Sequence, residues 1–294
     1  MTMSNDSIAW VEGKIIPAAE ARVPVLDHGF LFGDGVFEGI RVTDRGIFRL
    51  DDHIKRLSTA GRAIGIQPEG GFARAREIAC ETTRAWGARD GYLRLIVTRG
   101  VGALGIDPTT CLNPAIICIA AGPAEPDPEK TARGLDLITS SLRRPAGDVL
   151  DPRVKSMNYL NNVLAKREAR TRGADDALVL NGLGLIAEAS ATNVFALTGN
   201  RLDTPQVTDG ALEGLTRRTV MELAVERGLE VRERSLGRFD LYAADAVFLT
   251  GSRAGLIAIG SLDGSPISQD GRAQVDAIGE AFVARARELS VSVD

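Results

Sequence analysis

The chain is poor in the residue types on which several kinds of site depend. Its 294 residues include two histidines, His28 and His53, and three cysteines, Cys80, Cys111 and Cys118. The histidines are too few and too far apart for a histidine-rich metal site, and we predict that neither is catalytic. The cysteines form an odd, widely spaced set, which excludes a disulfide framework and any cysteine motif with metal-ligand spacing. A reducing cytoplasm is the compartment this usage favours.

Concentrated charge and long apolar runs are also missing. The net charge is -4 and no run of basic residues occurs, so the sequence lacks the electrostatic footprint of a nucleic-acid-binding protein. Residues 1–7 are polar and contain no apolar signal core, and no apolar stretch approaches transmembrane length. These absences predict a cytoplasmic protein without nucleic-acid or membrane partners.

What is present is the composition of an ordinary soluble globular protein, with 44% apolar and 25% charged residues. One compositional break occurs at residues 120–130, where three prolines and three acidic residues fall within eleven positions. Proline cannot continue a central strand and disfavours helix in the residue before it, so this stretch predicts a linker. We therefore expect a small N-terminal domain over residues 1–120, a linker over 121–133 and a larger domain over 134–294.

Periodicity predicts a mixed α+β chain. Apolar residues at helical spacing follow Asp51, a candidate N-cap, and indicate a helix over 52–65. Continuous apolar runs predict strands at 91–98 and 115–120. The other predicted helices are 72–86, 158–172, 214–227 and 272–289, and the other predicted strands are 135–139, 177–180, 193–197 and 246–250.

Lysine is scarce, which makes the surroundings of one lysine informative. The chain has five lysines against thirty arginines, and only Lys155, in Arg153-Val154-Lys155-Ser156-Met157, lies between apolar neighbours where an extended stretch runs into a helical pattern. An amine partly withdrawn from water gives up its proton more readily, as a Schiff-base nucleophile must. Taken alone, the same pattern also fits an ordinary, partly exposed lysine.

Three segments further along the chain carry complementary chemistry. Glu188 lies between two predicted strands, and an ionised carboxylate against a pyridine nitrogen keeps that nitrogen protonated. Residues 211–224 place Gly and Thr where a helix begins, and the free N–H groups of such a start bind phosphate. Leu249-Thr250-Gly251-Ser252 offers a second anion cradle. A solvated glutamate and a capped surface helix have the same patterns. The prediction therefore depends on the ensemble of these three segments and Lys155.

The ensemble resembles a known family. The chain is similar to fold-type IV pyridoxal-phosphate enzymes, the class IV aminotransferases, and most similar to their branched-chain amino acid subgroup. The resemblance implies a small N-terminal α/β domain and a larger domain with a mixed, barrel-like sheet. The matching stretches, in family order along nearly the whole chain, are residues 27–41, 98–108, 153–166, 188–195 and 213–218.

The resemblance also implies roles for individual residues. Lys155 would hold the aldehyde of pyridoxal 5′-phosphate as an aldimine and then move the proton between the substrate Cα and the cofactor. Tyr159 would bond the phenolic oxygen of the cofactor, and Glu188 would pair with its pyridine nitrogen. The phosphate would be bound by Arg56, Leu215, Thr216 and Ser252. Helical spacing alone would have made Arg56 part of a solvated helix face.

The substrate pocket follows from the same resemblance. Phe32, Phe37 and Tyr92 match positions that form an apolar pocket in branched-chain enzymes, and Arg94 matches an acceptor-binding arginine. A guanidinium binds the distal carboxylate of 2-oxoglutarate with two hydrogen bonds, while aromatic rings suit leucine, isoleucine or valine. Core packing is the alternative for the aromatic rings. Strand alternation already predicts one outward polar residue at Arg94, but it also places Tyr92 and Arg94 on one face.

Two stretches separate this chain from the usual family pattern. Arg253 and Ala254 lie where the family has small residues whose amides hold the substrate carboxylate, so Arg253 either crowds the pocket or adds a second carboxylate site. The Lys155-Ser156-Met157-Asn158 run is similar to D-amino acid aminotransferases. Both leave the stereochemical preference open.

The expected activity is transamination between an amino acid, most simply a branched-chain L-amino acid, and 2-oxoglutarate. The resemblance implies a homodimer or larger homo-oligomer, in which the Leu104-Gly105-Ile106 loop reaches the neighbouring subunit's site. The alternatives are a D-amino acid or (R)-amine transaminase of the same fold, an aminodeoxychorismate-type lyase on the same cofactor and, most remotely, a binding protein without activity.

Overall fold

The computed structural model describes residues 6–87, 90–123 and 127–293. Its strands are β1 Ile8–Val11, β2 Lys14–Pro17, β3 Gly35–Thr43, β4 Gly46–Phe48, β5 Gly91–Thr98, β6 Ala115–Ala121, β7 Leu135–Arg143, β8 Asp176–Leu180, β9 Ile186–Ala189, β10 Asn193–Thr198, β11 Arg201–Thr204, β12 Glu230–Glu233, β13 Ala246–Gly251, β14 Gly255–Leu262, β15 Ser265–Pro266 and β16 Ser290–Val291. Its helices are α1 His28–Phe32, α2 Leu50–Ala63, α3 Gly71–Trp86, α4 Pro128–Arg133, α5 Gly147–Leu150, α6 Leu160–Thr171, α7 Leu215–Glu226, α8 Arg238–Tyr242 and α9 Arg272–Glu288. The expected α+β class is confirmed.

The chain forms two compact units that are not consecutive in sequence. The first contains the described residues within Met1–Ala124, Val154–Asn158 and Ala286–Asp294, and the second those within Glu125–Arg153 and Tyr159–Arg285. The predicted division at a single linker does not include these short segments that belong to the other unit. Part of the predicted linker is helical, because Asp127 accepts hydrogen bonds from the first amides of α4 and Pro128 fits a helix start. Residues 124–126 of that linker lie outside the described residues.

The first unit is a sheet with helices against one face. Within the described residues its strand order is β16-β4-β3-β5-β6-β1-β2. Strand alternation sends Val36, Ile40, Leu93 and Leu95 to one face, where they form a core with residues of α2 and α3 such as Leu57 and Ile78. The alternate side chains of β3 and β5 lie on the opposite face of the sheet. Phe37, Tyr92 and Arg94 are among them.

The helix after β4 begins differently from the expectation. Arg49, with φ of 44°, is the N-cap of α2, and Asp51 lies inside the first turn. The prediction of Asp51 as the cap is therefore wrong. The chain turns directly from β4 into the helix through a left-handed residue, and the Asp51 carboxylate instead accepts from Arg76 of α3 at 2.7 Å.

The second unit is built on a larger mixed sheet. Its order among the described residues is β12-β11-β10-β13-β14-β7-β8-β9, with β15 paired to β14. Phe195 of β10 and Phe248 of β13 stack in its core with ring centroids 5.1 Å apart. Ala165 and Ala169 of α6 pack against β7 and β8, since small side chains let a helix lie close to a sheet.

The apolar strand predictions are confirmed, but the central strands β3 and β14 are absent from them. β5 has the predicted bounds, and β6, β8, β10 and β13 differ by a residue at their ends, whereas β7 continues to Arg143. β3 was missed because Gly35 and Gly39 interrupt its apolar pattern, although its residues are nearly all buried. Among the described residues, no helix is both long enough and apolar enough to cross a bilayer.

Candidate active site

Lys155 lies on a strand edge of the first unit. Among the described residues, β4 pairs with β3 at Val42 and Thr43, so the Gly35–Phe37 end of β3 has an edge at which another segment can pair. The extended segment 154–158 pairs there: the Phe37 N–H donates to the Lys155 carbonyl at 3.0 Å, and the Met157 N–H donates to the Gly35 carbonyl at 2.9 Å. This pairing puts Lys155 and Phe37 side by side, with Nζ 4.5 Å from the centre of the Phe37 ring.

The other lysines have different surroundings. Lys14 and Lys55 are exposed. Lys130 and Lys166 form ion pairs with Asp175 and Asp176 at 2.6 and 2.9 Å. Lys155 is instead half-buried, with its amine over an aromatic face.

Phe37 also contacts a guanidinium on the same sheet face. The Arg94 Cζ lies 4.4 Å from the Phe37 ring centre and 5.6 Å from that of Tyr92. The expectation that Tyr92 and Arg94 share a face is confirmed. A side chain at Gly39 would collide with the Tyr92 hydroxyl, so glycine leaves the room in which the Tyr92 ring lies. The face thus combines an amine, two aromatic rings and a cation suited to a carboxylate.

Phe32 is the last residue of α1. Its ring is edge-on to His28 at 4.9 Å, and the residue is 37% exposed. His28 is buried, and its Nε2 bonds the Ala103 carbonyl at 2.8 Å. This contact ties α1 to the loop that carries Leu104 and Ile106, whose apolar side chains are 75% and 83% exposed.

On the helix side of the same sheet, Arg56 forms part of a buried ion cluster. Its Nε and Nη2 donate to the two Glu38 carboxylate oxygens at 2.7 and 2.6 Å, and His53 Nδ1 lies 2.8 Å from Oε2. Burial acts to raise the pKa of Glu38, but Arg56 and His53 outweigh it and hold that pKa well below its usual range. Arg56 is therefore not part of a solvated helix face.

Sequence reasoning missed Glu38 and the partner role of His53. A signal was available: alternation places Glu38 on the apolar face of β3, and a buried carboxylate requires partners. His53 and Arg56 are three apart on α2, the spacing that puts two side chains on one helix face.

In the second unit, Glu188 lies on β9 and is only 4% exposed, so it is not a solvated glutamate. One carboxylate oxygen contacts the Arg144 guanidinium. The other accepts from Asn193 Nδ2 at 3.0 Å and from the Leu212 N–H at 3.1 Å. These donors stabilise the ionised form that a pyridinium partner must have.

Arg144 and Asn193 are further residues that the sequence did not reveal. Burial lowers the pKa of the Arg144 guanidinium, against the attraction of the nearby Tyr159. Arg144 Nε also donates to the Gly210 carbonyl at 2.9 Å. Tyr159, the residue before α6, is half-buried and thus belongs to the electrostatic surroundings of this group.

The start of α7 has the character of an anion site. Gly214 is the N-cap and has no side chain to satisfy the first amides, which are those of Leu215, Thr216 and Arg217. Leu215 and Thr216 are buried, and the Thr216 hydroxyl has no hydrogen-bond partner within the described part of the chain. A buried donor without a partner is costly, so this group fits a phosphate that would accept from it.

The second predicted cradle is the turn between β13 and β14. Ser252 is half-buried there, whereas Arg253 and Ala254 are exposed. Just before the turn, the buried Thr250 hydroxyl also has no partner among the described residues. Taken separately, each unit therefore carries groups suited to pyridoxal phosphate: an amine in the first, and a held carboxylate with unsatisfied hydroxyls in the second.

Comparison with known proteins agrees with this chemistry. The family model of amino-transferase class IV matches residues 35–262. A putative branched-chain-amino-acid aminotransferase of Methanocaldococcus jannaschii is 43% identical over 260 residues, covering 88% of this chain and 89% of the relative. The branched-chain-amino-acid aminotransferase of Escherichia coli K12 is 32% identical over 276 residues, covering 92% and 89%.

Solved structures agree as well. The branched-chain amino acid aminotransferase of Thermoproteus uzoniensis with norvaline superposes with a TM-score of 0.87 at 32% identity, covering 96% of this chain and 95% of that one. The Escherichia coli enzyme gives a TM-score of 0.89 at 29% identity, covering 97% and 96%. A further branched-chain enzyme, solved with pyridoxamine 5′-phosphate, gives 0.91 at 31% identity and covers 98% of both chains. The chain belongs to the class IV aminotransferases and has their fold-type IV architecture; it is an enzyme, a transferase.

Proposed function

We propose that this enzyme transfers the amino group of branched-chain L-amino acids to 2-oxoglutarate with pyridoxal 5′-phosphate as cofactor. The observation that carries the proposal is the sheet face of the first unit, where Lys155, Phe37 and Arg94 adjoin one another. An amine for the cofactor aldehyde, an apolar surface for an aliphatic side chain and a guanidinium for a second carboxylate are the three groups that this reaction needs.

Each residue has a defined task in this proposal. Pyridoxal phosphate supplies, when bound, an aldehyde that exchanges amino groups and a ring that accepts electrons. Lys155 would hold that aldehyde through Nζ and would move the proton at the substrate Cα. Glu188, kept ionised by its donors, pairs with the pyridine nitrogen, and Tyr159 bonds the phenolic oxygen. Arg56, Leu215, Thr216 and Ser252 bind the phosphate.

The substrate assignment is supported by the relatives and by Arg94. The relatives at 43% and 32% identity are named as branched-chain enzymes. Arg94 binds the distal carboxylate of 2-oxoglutarate in this proposal, while Phe37, Tyr92 and Phe32 contact the aliphatic side chain. In this proposal, the turn that contains Arg253 and Ala254 binds the substrate carboxylate.

The assembly proposed is a cytoplasmic homodimer or larger homo-oligomer. The exposure of Leu104 and Ile106 supports it, because two large apolar side chains on one loop tip favour a protein contact. Sedimentation analysis of the purified enzyme tests this; a monomer at assay concentration would contradict it.

The experiment for the reaction is a half-reaction screen with purified holoenzyme. L-Leucine, D-alanine and (R)-1-phenylethylamine are mixed with it separately. Loss of the visible band of the lysine-bound cofactor is followed together with release of the keto acid or, from the amine, of the ketone. We expect L-leucine to react fastest. Borohydride reduction before peptide mass mapping should locate the cofactor on Lys155.

The other outcomes identify the alternatives. Fastest reaction with D-alanine or the (R)-amine would assign a transaminase of opposite preference, the alternative that the Lys155–Asn158 run leaves open. Release of neither a keto acid nor a ketone from any donor would indicate a lyase or a protein without activity.

A further inference from the structure

Glu38 is the most completely buried charged group of the first unit, and its only role so far is to contact Arg56 and His53. Its side chain has no solvent exposure, and both carboxylate oxygens are engaged. Removing a carboxylate from water costs several kcal/mol, so such a group persists only where it is well paired. A carboxylate exposed to water could pair with Arg56 without this desolvation cost.

The geometry of the pair restricts Arg56 strongly. Two hydrogen bonds, from Nε at 2.7 Å and from Nη2 at 2.6 Å, use one edge of the planar guanidinium. A bidentate contact fixes the plane of the group and the direction of its opposite edge. An arginine without such a contact keeps rotamer entropy, which it loses when it binds a ligand.

His53 stabilises the carboxylate from its other side in the neutral form. Nδ1 lies 2.8 Å from Glu38 Oε2 and donates to it, since a carboxylate only accepts. Nε2 is buried and has no hydrogen-bond partner in the part of the chain that the structure describes. A protonated ring would leave that second N–H unsatisfied, and burial lowers the pKa of His53 despite the opposing attraction of Glu38. The cluster therefore contains one anion and one cation.

We propose that Glu38, supported by His53, is a positioning residue that holds the Arg56 guanidinium in the orientation that binds the cofactor phosphate. This inference rests on the proposed function, in which Arg56 binds that phosphate. The Glu38 carboxylate cancels the charge of Arg56, so Arg56 contributes directed N–H donors rather than net positive charge.

Charge cancellation by Glu38 would weaken phosphate binding, whereas positioning of Arg56 by Glu38 would strengthen it. A variant without the carboxylate charge therefore distinguishes the two effects. Glu38→Gln keeps the shape of the side chain, one acceptor for Arg56 and a hydrogen-bonding group for His53, but it removes the negative charge. If Glu38 only cancelled charge, its loss would strengthen phosphate binding. If Glu38 positions Arg56, its loss weakens phosphate binding.

The measurement is the dissociation constant of the full-length, cofactor-stripped protein for pyridoxal 5′-phosphate and for pyridoxal, which has no phosphate. For E38Q we expect about tenfold weaker binding of pyridoxal 5′-phosphate, the loss of roughly one charge-assisted hydrogen bond. Binding of pyridoxal should change less than about twofold, because Arg56 does not touch it. Tighter or unchanged binding of the phosphate form, or an equal loss for both ligands, would overturn the inference.

Asp34→Asn is the matched control. Asp34 forms the same kind of two-bond pair, with Arg99 Nε at 2.8 Å and Nη2 at 3.1 Å, in the same unit. In D34N, the ratio of the dissociation constants for pyridoxal 5′-phosphate and pyridoxal should equal the wild-type ratio. A shift as large as that of E38Q would show that any lost ion pair of this unit has the effect.

A second variant tests whether Glu38 acts through Arg56. In an Arg56→Met background, adding E38Q should leave the affinity for pyridoxal 5′-phosphate unchanged within about twofold; a further tenfold loss would contradict the inference. If R56M alone does not fold, the ratio of the two dissociation constants in E38Q still tests the inference. Wild-type protein that fails to bind pyridoxal 5′-phosphate overturns the proposed function, whereas wild-type binding with an unaltered E38Q ratio overturns this inference alone.

Discussion

The two units of the chain build their functional groups in different ways. In the first, the groups lie on neighbouring strands, so Phe37, Tyr92 and Arg94 follow from alternation along β3 and β5. In the second, the carboxylate of Glu188 is held by Arg144, Asn193 and Leu212, which come from strand ends and loops far apart in sequence. The first arrangement presents cations on a sheet face, and the second surrounds an anion with donors.

The difference concerns how each unit stabilises charge. Lys155 and Arg94 lie against aromatic faces, which attract cations weakly and leave them able to meet a ligand. Glu188 instead accepts from three protein donors, those of Arg144, Asn193 and Leu212, which favour its ionised form. We expect this face of the first unit to supply the reactive amine, and Arg56 together with residues of the second unit to hold the cofactor.

The largest expected effect is at the reactive amine. Lys155→Ala should reduce kcat by roughly 10⁴-fold or more, because no other group supplies the nucleophile and proton carrier. Steady-state turnover with leucine and 2-oxoglutarate measures it. Lys166→Ala, which removes a lysine paired with Asp176, is the control and should stay near wild-type kcat. Retained turnover in K155A would exclude the mechanism.

The next effect concerns the holding group of the second unit. Glu188→Gln should reduce kcat by about 10²- to 10³-fold, the range for loss of one preorganised electrostatic contact, because a neutral amide does not keep the ring nitrogen protonated. Glu168→Gln is the matched control. Glu168 accepts from a hydroxyl at 2.7 Å and from a backbone amide in the same unit, without a proposed role in the reaction. Equal kcat losses in both variants would argue against a cofactor contact at Glu188.

A smaller effect separates ligand binding from folding on one helix. Thr216→Val should weaken pyridoxal 5′-phosphate binding about tenfold and leave the stability of the cofactor-free protein unchanged, because the Thr216 hydroxyl has no described protein partner. Thr219→Val removes a hydroxyl that donates to the Leu215 carbonyl at 3.0 Å and should instead cost about 1 kcal/mol of stability. Equilibrium dialysis and urea unfolding give the two quantities. The reverse pattern would contradict the phosphate assignment.

The smallest effect tests a charge cluster of the second unit that has no proposed role in the reaction. Asp175 accepts from Lys130 and Arg133, each at 2.6 Å. Burial acts to raise its pKa, but these partners outweigh it and lower the pKa from 3.8 to about 2. A lowered folded-state pKa stabilises the fold above the unfolded value, and the stabilisation disappears as the pH falls through the folded value.

Asp175→Asn should therefore be about 1–2 kcal/mol less stable than wild type at pH 7, after allowance for solvent screening. The difference should shrink as the pH falls from about 4 towards 2. Urea unfolding across this range measures it, with turnover as the control. A difference that is constant with pH would show that ionisation of Asp175 contributes nothing.

Local sequence was sufficient for much of the framework. The apolar runs of β5 and β6 and the helical spacing of α2 and α3 predict those elements to within a few residues, because hydrophobic periodicity is a property of neighbouring residues. The unusual surroundings of Lys155 and the shared face of Tyr92 and Arg94 were visible for the same reason. The N-cap of α2 was not, because it depends on how β4 turns into the helix.

Only the tertiary structure decided which charges meet. Glu38 with Arg56, and Glu188 with Arg144, are separated by 18 and 44 residues along the chain. No local pattern encodes such pairs, because they form when folding removes both partners from water and each becomes the other's best replacement for solvent. Sequence alone thus determined where many of the strands and helices lie and which lysine has unusual neighbours, whereas the fold determined which carboxylates and arginines are paired.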